Sequence, residues 1–179
     1  MYWYAARTRS NQEISVRESL RKLEVIHFLP TQFVTRIYSD RRKRVEVPFI
    51  SSLIFVKCTK QEAFALVKSY SIKISYMKDI VTGSLLVVPE QQMENFMMAM
   101  QVSSELVHQC EETLVKGDRV RVIKGDFTGF EGEMVRLEGK THVILRIPQI
   151  LTISIKIPKS HLQKIAPVKI ESTYKTKTL

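Results

Sequence analysis

The chemistry-bearing residues of this sequence are cations set along apolar runs. Arg7 and Arg9 alternate in "YWYAARTRS", Arg41, Arg42, Lys43 and Arg44 follow one another in "SDRRKRVEV", and Arg119 and Arg121 alternate with Val120 and Val122. Arg17, Arg21 and Lys22 stand between the first two groups. Guanidinium and ammonium groups in such series suit polyanions, because each can hold a phosphate oxygen while the backbone sets their spacing. The whole chain points the same way. Its 28 Lys and Arg outnumber 18 Asp and Glu, for a formal charge of +10 and a pI near 9.7, which favours a partner such as nucleic acid. A solvated basic face is the plainer reading of any one cluster.

Catalytic chemistry finds no comparable pattern. His27, His108, His142 and His161 lack metal-ligand spacing, and Cys58 and Cys110 have no CxxC arrangement, so neither zinc nor a disulfide framework is expected. There is no GxSxG, no P-loop and no locally paired carboxylates. A non-enzymatic protein without cofactor or metal is the expectation. "MYWYAARTRS" lacks the basic-then-apolar order of a signal peptide, and no apolar run reaches membrane-spanning length. The default is therefore a cytoplasmic monomer that does not use a membrane.

The 179 residues suffice for one medium domain or two small ones, and 44% apolar content supplies a core. Residues 2–8 read as a strand. Ser10 to Glu13 form a capping-box pattern ahead of Val16, Leu20 and Leu23 at helical spacing, which sends Arg17, Arg21 and Lys22 to other faces. From Ile26 to Cys58 the pattern is β: "FVTRIYSD" and "RVEVPFI" flank a charged hairpin tip at Asp40 to Lys43, and "LIFVKC" is a short buried strand. Thr59 to Glu62 repeat the capping box and open a helix through Ala63, Phe64 and Val67. "IKISYM" and "LLVV" are strands around a turn at Thr82 to Ser84. Pro89 suits a first helical position, and Met93, Phe96, Met97 and Met100 mark one apolar helix face. This order of elements predicts an antiparallel sheet with helices packed on it.

Periodicity lapses over residues 102–113, which read as a linker. Beyond it "RVRVI", "GEMVRL", "HVILRI", "LTISIKI" and "HLQKI" are five short strands, the content of a small closed barrel. Val120 and Val122 point inward, so Arg119 and Arg121 point outward. Gly125, Gly129 and Gly132 bracket a loop around Phe127 that needs positive φ values and close backbone contacts. Residues 167–179 have no periodicity and read as a flexible tail.

Two stretches carry a family resemblance. "GDRVRVIKGDFTGFEGEMVRL" resembles the KOW motif of ribosomal proteins and transcription elongation factors, with Asp126 where that motif usually has proline. "WYAARTRSNQE" and "VPFISSLIFVKC" resemble the first strand-helix and the "PLFPGYVFV" strand of the NusG N-terminal domain. Ser51 and Ser52 replace its Pro-Gly pair, and Leu53 stands where an aromatic is common. The resemblance implies an α+β chain: an N-terminal α/β sandwich over 1–101, the linker, an SH3-like KOW β-barrel over 114–166, and the tail. It further implies a transcription elongation and antitermination factor that suppresses pausing and termination. The departures are most like a specialised paralogue of the UpxY or RfaH type, serving capsular polysaccharide operons. Leu53 and Phe55 share one face of their strand and Ile54 and Val56 the other; by pattern alone both pairs are core. The resemblance instead places Leu53 and Phe55 on a half-exposed surface for RNA polymerase. It sets Arg7, Arg9, Arg17, Arg21 and Lys22 beside the non-template DNA strand or nascent leader RNA. Arg41, Arg42, Lys43 and Arg44, otherwise a solubility device, can touch upstream duplex DNA. The barrel would meet Rho or a small ribosomal subunit protein. An RNA-binding or ribosome-associated KOW protein is the competing reading.

Overall fold

The computed structural model describes residues 1–103, 106–109, 117–137 and 139–165. Residues 104–105 and 110–113 of the expected linker, and the tail from 167 on, lie outside the described residues. The N-terminal half runs β1 (Tyr2–Thr8), α1 (Glu13–Lys22), β2 (Ile26–Phe28), β3 (Thr31–Ile37), β4 (Arg42–Pro48), β5 (Leu53–Cys58), α2 (Lys60–Lys68), β6 (Ile74–Tyr76), β7 (Val87–Val88) and α3 (Glu90–Ser103). The C-terminal half comprises β8 (Val107–Gln109), β9 (Asp118–Val122), β10 (Glu131–Leu137), β11 (Lys140–Ile147), β12 (Leu151–Lys156) and β13 (Leu162–Lys164), with a single 3-10 turn at Lys159–His161. The expected class is therefore what is found: mixed α+β with antiparallel sheets.

The first sheet has the order β2-β5-β1-β6, with β7 also on β1. Its two faces follow from strand alternation. Tyr4, Ala6, Ile54 and Val56 meet Val16 and Leu20 of α1 and Ala63 and Leu66 of α2 in one cluster, while Trp3, Ala5, Leu53 and Phe55 meet Met93, Phe96 and Met100 of α3 in another. Thr59 closes the expected capping box with Glu62 in both directions. The helix expected through Ala63, Phe64 and Val67 forms; Ala63 and Leu66 face the sheet, while Phe64 and Val67 are 47% and 37% exposed.

The first expected capping box does not form. Helix α1 starts at Glu13 with no side-chain cap, because the buried Glu13 carboxylate accepts from the Ser52 backbone N–H at 2.8 Å. That bond steadies the β4–β5 turn, where Ser52 holds a left-handed φ of 58°, a conformation that disfavours a side chain. A long-range demand on the carboxylate thus overrides a local motif.

The C-terminal sheet has the order β13-β9-β10-β11-β12-β8. All five expected strands are present, and no ladder joins its two ends among the described residues. Strand β8 is a correction: Val107–Gln109 lies inside the expected linker, yet it pairs with Ile153 to Ile155 of β12. Three residues are too few to show a periodicity, and only the partner strand makes them β. Val120, Val122, Val143, Leu145, Ile153 and Ile155 are all buried on one face. Gly129 takes a φ of 93° and Gly125 one of 85°, as the loop requires. Gly132 does not; a Cβ there would sit 2.4 Å from the Ile144 carbonyl oxygen, so its role is close strand approach.

Candidate functional site

Strand β5 lies between β2 and β1, so its side chains meet neighbours on both sides. Leu53, Ile54, Phe55 and Val56 are all at most 2% exposed. The Phe55 ring stands 5.9 Å from Phe96 of α3 at 75° and 6.4 Å from Phe28, geometry favoured by the ring quadrupoles. The expected half-exposed face of Leu53 and Phe55 is therefore covered in this arrangement. Pattern alone places both pairs correctly as core; the exposure inferred from resemblance is corrected, because α3 occupies the face that α1 and α2 leave open. Partly buried Phe28, Phe49, Ile50, Met77, Met97 and Met98 pack around the same cluster, which continues into the C-terminal half.

Helix α3 works on two sides. Phe96 faces the first sheet, while Gln91, Gln92 and Asn95 line a groove with Glu131, Ile144 and Arg146 of the second. Expectation gave it one apolar face; its second side is polar and nonetheless enclosed, with Asn95 only 4% exposed. The halves are joined by side-chain amides. Asn95 Nδ2 donates to the Glu131 carbonyl at 3.2 Å and Gln109 Nε2 to the Phe49 carbonyl at 2.9 Å. Gln149 Nε2 donates to Asp79 Oδ2 at 2.9 Å while its Oε1 accepts from the Ile80 N–H at 3.1 Å. Asp79 also accepts from the Thr82 and Val81 N–H groups, and these bonds, Thr82's first, hold its carboxyl below the usual range.

The basic residues divide. Arg7 and Arg9 are exposed at the end of β1, and they line an open groove of about 360 Å³ together with Lys73 and Thr8. None of the three cations has an ion pair among the described residues. The Thr8 hydroxyl, in a residue 9% exposed, lacks a hydrogen-bond partner there, an unusual state for a buried polar group. Sequence reasoning missed Lys73, whose only signal was its place among the alternating residues of "IKISYM". Arg17 does not join this group. It grips Glu46 of β4 with Nη1 at 2.6 Å and Nη2 at 3.1 Å, and that hydrogen bonding, chiefly, holds the Glu46 carboxyl below its ordinary value. Arg21 is exposed and 3.9 Å from Glu18, and Lys22 is exposed.

Strands β3 and β4 form a sheet of their own. The turn is tighter than expected: Tyr38 N–H donates to the Arg41 carbonyl, and Arg42 and Lys43 already lie in the strand opposite Ile37 and Arg36. Arg41, Arg42, Lys43 and Arg44 are all exposed. Arg44 holds its guanidinium 4.9 Å from the Phe33 ring centre. In the C-terminal sheet, Arg119 and Arg121 do point away from Val120 and Val122, but both bond Glu131, Arg121 Nε at 2.8 Å and Arg119 Nη2 at 3.3 Å. Phe127, at the loop's centre, is 7% exposed and belongs to the core.

A cleft of about 370 Å³ is bordered by Leu23, Ile26, Cys58 and Tyr70. Burial, the largest influence, pushes the Cys58 thiol up, which makes it a poor nucleophile. Among the described residues no cluster of His, Cys, Asp and Glu has the geometry to hold a metal ion, and no helix is long and apolar enough to cross a membrane.

Comparison with known proteins bears on this architecture. The family model described as NusG, transcription termination factor nusG, matches residues 1–97. No curated protein sequence matches the chain. Among solved structures, the chain is similar to one titled as the domain interaction in Thermotoga maritima NusG, with 20% identity, 92% of this chain and 97% of that one covered, and a TM-score of 0.50. A crystal structure of the MjSpt4:Spt5 complex aligns with 16% identity over 92% of this chain and 98% of that one, at a TM-score of 0.27.

Proposed function

The chain belongs to the NusG family of transcription factors, and from that premise we propose that it is an elongation and antitermination factor acting on RNA polymerase. The apolar cluster to which Leu53 and Phe55 belong supports the reading, because its rim of Phe49, Ile50, Met97 and Met98 is partly buried yet needs no catalytic chemistry to be useful. Such a surface bridges two parts of an enzyme and biases it toward a closed, processive state by binding energy alone. Pausing and termination then become less frequent.

Access to that rim depends on the second half of the chain. The apolar cluster that continues into the C-terminal half, together with the amide bonds of Asn95, Gln109 and Gln149, keeps the two halves together, so binding of polymerase competes with them. The glycine-bracketed loop around Phe127 and its flanking strands resemble the KOW motif, and on that resemblance we assign this half the second partner, Rho or a small ribosomal subunit protein. Arg7, Arg9 and Lys73, with the partnerless Thr8 hydroxyl between them, are the phosphate contacts to the non-template DNA strand or nascent leader RNA. Arg21 and Lys22 extend the same charge along α1. The replaced Pro-Gly pair at Ser51 and Ser52 favours a specialised paralogue of the UpxY or RfaH type at capsular polysaccharide operons.

The observation that carries the reading is the covered apolar face joined to the other half by neutral amides. The experiment replaces Asn95, Gln109 and Gln149 together with alanine in the full chain. Polymerase retention and passage through pause sites are then measured in a purified system. Tighter retention and shorter pauses than with the unaltered chain are expected. No polymerase binding by either protein would remove the reading and favour the RNA-binding or ribosome-associated alternative.

A further inference from the structure

Ile80 and Val81, in the turn between β6 and β7, are 85% and 89% exposed, more than any other large apolar side chain among the described residues. Their turn is ordered throughout. Asp79 N–H donates to the Ser84 carbonyl and Gly83 N–H to the Asp79 carbonyl. The N–H groups of Val81 and Thr82 donate to the Asp79 carboxylate, that of Ser84 to the Thr82 hydroxyl and that of Ile80 to Gln149 Oε1. Gln149 reaches across from the Ile147–Ile150 turn, where it holds a φ of 62° at a position that usually takes glycine. Six consecutive amides and a strained residue thus keep two aliphatic side chains in water, at a cost in both ordering and lost burial.

A complement to this ridge lies on the α1–α2 side of the first sheet. The cleft of about 370 Å³ has buried Cys58 and Leu66 beneath it and the exposed side chains of Met1, Leu23, Ile26 and Tyr70 around it. Four exposed apolar side chains around one hollow differ from the scattered single ones that a protein surface ordinarily carries. Glu24 lines the same cleft, at the left-handed position that closes α1, with a φ of 54° where glycine is usual. Glu24 is exposed, as is Lys78 beside the ridge. Neither has an ion pair among the described residues.

We propose that the Ile80–Val81 ridge of one copy seats in the cleft of a second copy of this chain, with Lys78 of the first against Glu24 of the second. An aliphatic ridge then meets an aliphatic hollow, and a free cation meets a free carboxylate. Because ridge and cleft are different surfaces, the contact is head-to-tail and leaves a ridge open at one end and a cleft at the other. Copies add in series, in place of the expected monomer. Two side chains bury little area and much of the gain is lost to immobilisation, so the association is weak and depends on concentration. The cleft opens on the sheet face away from α3. A copy engaged through its α3 face therefore keeps the cleft for another copy. The inference goes beyond polymerase binding and does not need it, so the test contains no polymerase.

Sedimentation equilibrium of the full-length protein is followed from about 1 μM to about 1 mM. The average mass should rise with concentration and pass that of a dimer. Ile80→Ser with Val81→Ser should weaken association more than about tenfold, and Leu23→Ser with Ile26→Ser should do the same. All four side chains are exposed, so both variants should keep the circular dichroism of the unaltered chain. The first variant retains its cleft and the second its ridge. Mixed in equal amounts, they should form one-to-one pairs and nothing larger. Lys78→Glu and Glu24→Lys should each weaken association about fivefold, and the two combined in one chain should restore it. A constant monomer mass over the whole range would overturn the proposal. A mass that levels off at the dimer would do so too, since it marks a two-fold contact between like surfaces. So would full association in either serine variant, or no recovery when the two charge reversals are combined.

Discussion

The ribbon β3–β4 and the pair β9–β10 begin from the same local recipe, an antiparallel pair with arginines alternating along a strand, and they end differently. In β9–β10 the residue opposite Arg121 is Glu131, which also accepts from Arg119, and across β10–β11 Glu133 accepts from Arg146. In the ribbon the cations face Thr35, Ile37 and each other, and Glu46 has turned to Arg17 of α1. An arginine is a free ligand or half of an ion pair according to its cross-strand partner. That partner is set by register, ten or more positions away.

The largest contrast should come from packing. Gly132→Ala forces a Cβ against the Ile144 carbonyl in the crowded C-terminal sheet and should cost about 3 kcal/mol in urea unfolding, whereas Thr35→Ala on the exposed ribbon should leave the midpoint nearly where it was. A mild Gly132→Ala would mean the strands can separate, and the two sheets would not differ in kind. Next in size is Glu131→Gln, which frees two guanidiniums at a cost of about 1 kcal/mol. If neutralisation is what silences this face, that variant should gain single-strand affinity, with a salt slope steeper by about 1.4. An unchanged slope would show that pairing with Glu131 is not what keeps Arg119 and Arg121 from anions.

The Arg17–Glu46 pair at the ribbon's base gives a smaller, pH-dependent effect. The Glu46 carboxyl is held below its ordinary value, mainly by the Arg17 hydrogen bond. Its contribution is therefore present above the unfolded-state pKa and is lost as pH falls through the folded one. Unfolding midpoints followed from pH 6 downward should fall less in Glu46→Gln than in the unaltered chain once the pH is below about 4.5. Identical acid profiles would mean the pair does not anchor the ribbon. Smallest of all, Arg36→Ala should not lower the midpoint, since it relieves the repulsion with Lys43. A clear loss would reveal a structural partner for Arg36 and weaken the contrast with Arg119.

Legibility followed the range of the interactions. The Thr59 capping box could be read because its partners are three residues apart, and it formed as written. The Ser10 to Glu13 pattern looked the same and failed, because Ser52, thirty-nine positions away, claimed the Glu13 carboxylate. Strands β9 to β13 were legible from alternation alone. Strand β8 was not, since Val107–Gln109 becomes a strand only on β12. Lys73 could not be read as a groove neighbour of Arg7 and Arg9 because the lining comes from separate strands, β1 and the approach to β6.

The amino-acid order by itself determined the class, the strands and helices with strong periods, the excess of positive charge and the places where glycine is required, because those depend on residues a few positions apart. Tertiary structure alone decided that α3 is what covers Leu53 and Phe55, that one apolar cluster and the amides of Asn95, Gln109 and Gln149 join the two halves, and which cations stay free. Burial and pairing are properties of contacts between distant segments. A side chain's type fixes what it can bond, but only the fold determines what stands across from it.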